Sequence, residues 1–201
     1  MKKVFKVIYA LRWYLLSILI FAVVVALLNI FIFLKEIEWY FVSLWVLGSV
    51  VLVIIIDGIT AAVIHKMPEK LFIPERFKER KGERGFFNFI RIKKWKDKIP
   101  EIGELTCDFS KSNINDPNDP KYIYKFLIEM GYAEAIHFIS CLTGVLIILL
   151  VAFTLPLKAM LSISLLVIII NSGYNIISAL IQRYNRPKLY KLYIRKTRQN
   201  K

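Results

Sequence analysis

Cysteine and histidine are scarce in this chain, with two of each in 201 residues. Cys107 is expected outside the lipid and Cys141 within it, so no disulfide framework is available. Two cysteines and two distant histidines, His65 and His137, make no zinc pattern, and no metal site is expected. No G-x-G-x-x-G or G-x-x-x-x-G-K-[ST] string occurs, which removes nucleotide binding by those routes. Neither histidine opens an H-x-x-x-x-D string, and Asp-His-His-Cys is missing, so two familiar acyl-transfer signatures are excluded. There is no internal repeat and no low-complexity tract. The tail from Gln182 onward has no acidic residue.

Long apolar runs are what the chain has in quantity. Mean hydropathy is +0.52 and 57% of residues are hydrophobic, yet the net charge is +14. Soluble domains rarely combine these values. The runs Leu11 to Leu34, Trp39 to Ile64, Ala135 to Leu155 and Ala159 to Ile181 each reach the roughly 20 residues a spanning helix needs. The first is longer than a signal-peptide core of about 7–15 residues and no A-x-A-like site follows it, so it reads as a retained span. The expected fold is an all-α membrane protein, one membrane domain with four transmembrane helices at about 11–34, 39–64, 135–155 and 159–181. Of 29 Lys and Arg, all but Lys35 and Lys158 fall in Met1 to Arg12, in 66–132 or after 181. The positive-inside rule then places both termini and the middle segment in the cytoplasm, in a multi-pass protein of the cell membrane. Orientation explains the basic residues, so no nucleic-acid partner is expected. For the basic cytoplasmic tail, 182–201, two partners stand open: anionic membrane lipids, or a phosphorylated substrate.

The middle segment, 66–132, is too long for an idle loop. It is also too aromatic for disorder, with Phe72, Phe77, Phe86, Phe87, Phe89, Trp95, Tyr122, Tyr124 and Phe126 spread along it. Gly85 to Ile92 runs into the basic cluster Lys93 to Lys98, a pattern that suits a short helix lying among headgroups. Pro100 is expected to end that element. Asp116-Pro117 and Asp119-Pro120 read as turns. From Lys121 to Glu134 the pattern is helical and leads directly into the third span. The segment is therefore expected to be partly helical, and cytoplasmic or interfacial.

Several polar groups interrupt the apolar helices. Asn171, Asn175, Ser178 and Gln182 are spaced by four, three and four, which puts them on one helix face. An amide facing lipid finds no partner, so the stripe must look inward. Glu134 and His137 are three apart at the cytoplasmic mouth of the third span, and Cys141 and Gly144 continue their face. A carboxylate that orients an imidazole is a common way to hold a general base. The competing reading is an interfacial histidine bonded to a headgroup or a neighbouring helix. Asp57 lies inside the second span, with Thr60 one turn on and His65 at the cytoplasmic end. Asp57-Gly58 with Ala61 matches only a fragment of the CDP-alcohol phosphotransferase signature, whose later aspartates are missing. Asp57 therefore reads as a structural bond partner and His65 as an interfacial residue.

A set of strings stands in order between Pro68 and Leu189. They are Pro68-Glu69-Lys70-Leu71-Phe72, Glu79-Arg80-Lys81-Gly82, Arg91-Ile92-Lys93-Lys94-Trp95-Lys96-Asp97-Lys98-Ile99-Pro100-Glu101 and Phe109-Ser110-Lys111. Then come Ala133-Glu134-Ala135-Ile136-His137, and Asn175 with Gln182-Arg183-Tyr184-Asn185-Arg186-Pro187. In these the chain resembles the glycosyl-4,4'-diaponeurosporenoate acyltransferase family of small integral membrane proteins. Gly131-Tyr132 stand where family members tend to carry basic residues, and the run Leu11 to Leu34 is additional to the shorter members. The resemblance implies transfer of a fatty acyl group to a hydroxyl of a glycolipid or related lipid acceptor. It implies no bound cofactor, with acyl-CoA as co-substrate. The family name comes from carotenoid biosynthesis, which leaves this acceptor open within lipid metabolism. His137 is then implied as the base, oriented by Glu134. Asn175, Gln182 and Asn185 are implied as amide donors to the thioester oxyanion. Lys94, Lys96, Lys98, Arg183 and Arg186 are implied as cations for donor phosphates, or as headgroup ligands. Trp95 is implied as a stacking surface or an interfacial anchor. Glu134-His137, Lys94-Trp95-Lys96 and Gln182 to Arg186 are expected to converge on one cavity. The alternatives are a non-catalytic lipid-binding or scaffold protein, whose polar stripe packs on a partner helix, and another small lipid-modifying enzyme.

Overall fold

The structure is a computed structural model, which describes residues 38–99, 114–153 and 164–199 and isolated helical positions between 12 and 27. All regular structure among the described residues is helical. Most of the first expected span, Pro100-Glu101, Cys107, Phe109 to Lys111 and the connection 156–158 lie outside the described residues.

Helix α1 covers Trp39–Ile64. Leu44, Leu47, Val51, Ile54, Ile55, Ile59 and Val63 stand exposed along it. A row of bare large apolar side chains suits lipid and not water. Ile56, Thr60 and Ile64, at helical spacing, are buried on the opposite face. The helix ends where the His65 backbone N–H and Nδ1 both reach the Ala61 carbonyl, the ring nitrogen at 2.9 Å. Two short 3₁₀ turns follow, Glu69–Phe72 and Pro74–Phe77.

The element expected over 85–98 is not one helix. It breaks into α2, Glu83–Phe89, and α3, Ile92–Trp95, with a 3₁₀ turn at Lys96–Lys98. The corner is Arg91, whose φ of 51° is left-handed. Packing accounts for the break. Phe87 and Ile92 are both buried, but positions five apart on a straight helix point about 140° from each other. The corner allows both to turn inward. The Trp95 Nε1–H donates to the Ile90 carbonyl at 2.9 Å and closes it.

Helix α4, Pro120–Ala152, starts at the expected turns. Asp116 Oδ1 accepts the N–H groups of Asn118 and Asp119, and Asp119 Oδ1 accepts that of Lys121 at 2.9 Å. Pro120 occupies the first helical position, where no N–H is needed. Helix α5 covers Leu165–Gln199. The fourth span was expected to end at 181 and release a tail, but the helix continues through Pro187. A proline inside a helix costs about 3 kcal/mol. The offset is tertiary: Leu189, with Tyr190, Leu192 and Tyr193, packs on Ile123, Phe126, Leu127 and Met130 of α4. The apolar residues hidden in the basic tail are therefore a packing face.

At 1.5 Å per residue, α4 and α5 are each about 50 Å long, against roughly 30 Å of hydrocarbon. Their exposed large apolar residues occupy one half only. On α4 they run from Phe138 to Leu150, and on α5 from Leu165 to Ile176. α1 and α4 are the two described helices long and apolar enough to cross a membrane. The border between the apolar and polar halves of the α4–α5 pair falls at Glu134, His137, Asn175 and Arg183.

Candidate active site

His137 and Asn175 meet across the α4–α5 contact, with Nδ1 and Oδ1 at 3.0 Å. Which atom carries the proton follows from the next bonds. Asn175 Nδ2 lies 3.2 Å from the Asn171 backbone carbonyl and 3.1 Å from Asn171 Oδ1. A backbone carbonyl can only accept, so the Asn175 atom facing it is the NH₂. Its Oδ1 then faces His137 and requires a donor, so Nδ1 holds the proton. The neutral ring is left with a bare lone pair on Nε2. An imidazole whose Nδ1–H is fixed by an oxygen acceptor is poised to take a proton at Nε2. Asn175, 2% exposed, is a rigid anchor for this purpose.

Gly144 allows the second amide of the chain to sit close to α4. A Cβ there would lie 2.4 Å from Asn171 Nδ2. Gly144→Ala should destabilise the protein by about 1–3 kcal/mol through overpacking, read as a lower thermal midpoint in detergent. Gly58→Ala, where a Cβ meets nothing within 4 Å, should not.

Glu134 does not hold His137. It joins an ion cluster that the sequence did not reveal. Arg186 Nη1 donates to Glu134 Oε2, and Arg183 Nη1 donates to Oε1 at 3.2 Å. Arg183 also donates from Nε and Nη2 to Glu83 Oε1, at 2.8 and 2.5 Å. Two carboxylates thus balance two guanidinium groups. Burial holds Arg186 down to about 10, with Glu134 opposing, so the side chain stays cationic at neutral pH. Burial also disfavours the charged Arg183, but Glu83 and Glu134 outweigh it and raise its pKa. The contact with His137 expected of Glu134 is made by Asn175, and Arg183 and Arg186, expected as phosphate ligands, are engaged with carboxylates.

Glu83 fastens the middle segment to the helix pair. Burial raises its pKa, but the Arg80 N–H and the Arg183 guanidinium outweigh burial and hold it below the ordinary 4.5. A depressed carboxylate pKa stabilises fully above the unfolded value and is lost as pH falls through the folded value. Between neutral pH and pH 4.5 the fastening should therefore stay intact, and it should open below that window. Glu83→Gln should open it at neutral pH, read as faster limited proteolysis across Lys78 to Arg84.

The other expected residues are placed as follows. Gln182 and Asn185 are half-buried beside the ion cluster. Asn185 Nδ2 is buried with no hydrogen-bond partner, so it remains a spare donor. Trp95 spends its N–H on Ile90, and Lys96 pairs with Asp97 at 2.5 Å. Lys94 and Lys98 are exposed. The middle segment reaches the helices through α2 instead, by Glu83 and by Phe87, whose ring centre lies 5.3 Å from that of Tyr184. His65 sits 3.5 Å from Glu129. Glu83, 100 residues from its partner, carried no sequence signal. Asn171 was visible in the stripe of four polar residues.

The family model described as glycosyl-4,4'-diaponeurosporenoate acyltransferase matches residues 68–195. The match takes in the 3₁₀ turns, α2, α3, α4 and most of α5, with every residue of the His137 and Glu134 clusters. No curated protein and no solved structure matches the chain.

Proposed function

Since the chain belongs to the glycosyl-4,4'-diaponeurosporenoate acyltransferase family, and is therefore an enzyme of the acyltransferase kind, we propose that it moves a fatty acyl group from acyl-CoA to a hydroxyl of a glycolipid or related lipid acceptor. The observation that carries this reading is the His137–Asn175 bond. It leaves a basic Nε2 at the border between the apolar and polar halves of the helix pair. A lipid-anchored hydroxyl and a water-soluble thioester can meet at such a border. His137 Nε2 takes the hydroxyl proton as the alkoxide oxygen attacks the thioester carbonyl. The new C–O bond forms, the C–S bond breaks, and the proton passes to the departing thiolate. The spare amide hydrogen of Asn185 is a donor for the oxyanion. Exposed Lys94 and Lys98 are the cations for donor phosphates. Nothing in this scheme requires a bound cofactor. Lipid mass spectrometry of host membranes with and without the gene tests it, with loss of one acylated lipid as the expected result. An unchanged lipid profile would remove the enzymatic reading.

The scheme needs the cytoplasm on the side of the ion cluster. We therefore read four spans, with both termini and 66–132 cytoplasmic, supported by the placement of all but two of the basic residues. Cysteines placed at Lys111 and Glu38 should label from the cytoplasm and from outside, respectively. Labelling of the first from outside would put the site in the wrong compartment for acyl-CoA.

A further inference from the structure

Two phenylalanines at the α2–α3 corner stand bare. Phe89 is 85% exposed, more than any other large apolar side chain among the described residues, and Phe86 is exposed beside it. They are three apart on α2 and share a face. Glu83 and Phe87, four apart, form a different face of the same helix, and that face is spent on α5. Glu83 accepts from Arg183, and Phe87 packs on Tyr184. The mechanism above uses neither bare ring.

The contacts of α2 fix its depth. Arg183 also donates to Glu134 at 3.2 Å, so α2 is held level with Glu134 on α4. The exposed large apolar side chains of α4 begin at Phe138, one turn further on. With α1 and α4 as spans, the edge of the hydrocarbon lies about one turn from the level at which Phe86 and Phe89 stand. Rings left in water there forgo a burial that a short sideways reach into the bilayer supplies.

The corner adds charge. The chain turns at Arg91, and Arg91 and Lys93 flank the buried Ile92. Both are exposed, and neither has a carboxylate partner among the described residues. Cations beside bare aromatic rings suit an acidic lipid surface, where phosphates meet the cations and acyl chains meet the rings. A partner protein would have to cover the rings at a level the bilayer already occupies.

We propose that the α2–α3 corner docks on acidic phospholipid headgroups of the bilayer, with Phe86 and Phe89 inserted among the lipids and Arg91 and Lys93 on the phosphates. The middle segment is then clamped at two places, to α5 by Glu83 and to the lipid by the corner. Lys94 and Lys98 take no part and stay available to the donor. The proposal rests on α1 and α4 crossing the membrane and on no part of the acyl-transfer reading, so the loss of either leaves the other standing.

The test places a nitroxide at position 89 (Phe89→Cys) or 84 (Arg84→Cys) of the full chain, with Cys107→Ser and Cys141→Ser. The chain is held in nanodiscs of phosphatidylcholine, with or without phosphatidylglycerol. Collisions with oxygen and with a water-soluble nickel chelate report the surroundings of each label. In the phosphatidylglycerol discs position 89 should read as immersed, on the order of 5–10 Å below the headgroup surface. Position 84, which points about 140° away on α2, should read as aqueous. In phosphatidylcholine alone the ratio of immersed to aqueous label at 89 should fall by roughly 5–30-fold, the value of one to two cations at an acidic surface. Arg91→Asn with Lys93→Gln should produce the same fall in the phosphatidylglycerol discs. Asparagine tolerates the left-handed corner, so the backbone is kept. The lipid comparison leaves the charges untouched and carries the test if that variant fails to accumulate. An aqueous position 89 in both lipids would overturn the docking. Equal immersion in both would overturn the acidic headgroup as the partner. A label at 89 shielded from oxygen and nickel alike would mean that protein covers it, a partner or a second copy, and would overturn the lipid surface.

Discussion

His137→Ala should lower the acylation rate by roughly 10²–10⁴, the usual contribution of a positioned acid–base group. Binding of the acceptor should change far less, because the imidazole acts on the proton in flight and not on the resting substrate. Asn175→Ala should give a smaller loss of the same kind. The ring would remain, but without the acceptor that keeps the proton on Nδ1 and the lone pair on Nε2. Asn175→Asp keeps an oxygen at that position, and a carboxylate would favour the charged imidazolium. Its pH–rate profile should therefore shift its acidic limb, where the base becomes protonated, to higher pH than wild type. Abundance in the membrane is the control. A well-expressed His137→Ala chain with unchanged turnover would remove His137 from the mechanism and leave the spare donor Asn185 as the remaining catalytic candidate.

Glu134→Ala should have the largest effect on stability. It strips Arg186 of its carboxylate and leaves Arg183 with Glu83 alone. Breaking a buried pair from one side costs about 3–5 kcal/mol, since a guanidinium group stays buried without compensation. The expected readout is a sharply lower thermal midpoint in detergent, or loss of the protein from the membrane. A second substitution identifies the cause. Glu134→Gln with Arg186→Met removes one charge of each sign and leaves Arg183–Glu83 balanced, so it should recover most of the loss. A double variant as unstable as Glu134→Ala would show that Glu134 matters through packing alone. Glu134→Gln by itself should reduce activity mainly through abundance, because its carboxylate meets the arginines and not His137.

The helices were legible because periodicity and length are local. A run such as Trp39 to Ile64 reports a helix long and apolar enough to cross a membrane whatever it packs against. The turn before α4 was legible too, since Asp-Pro carries both the cap and the missing N–H in adjacent residues. The corner at Arg91 was not, because it exists to bury Phe87 and Ile92 together, a demand set by neighbouring helices. Nor was the continuation of α5 through Pro187. A basic stretch interrupted by proline reads as a tail until Leu189 and its neighbours find the apolar face of α4.

The site divides in the same way. By itself, the sequence determined that polar side chains lie inside apolar helices, that Asn171 and Asn175 share a face, and that Glu134 and His137 stand together on one helix. One-dimensional spacing suffices for neighbours on a single helix. Only the tertiary structure decided who bonds with whom. Glu134 could turn to His137 or to another helix, and two guanidinium groups from α5 outcompete a neutral imidazole for a buried carboxylate. That released His137 to Asn175, 38 residues away, and drew Glu83 to Arg183 from 100 residues away. Charge pairing at low dielectric is won by the strongest partner within reach, and reach across helices is not written in spacing.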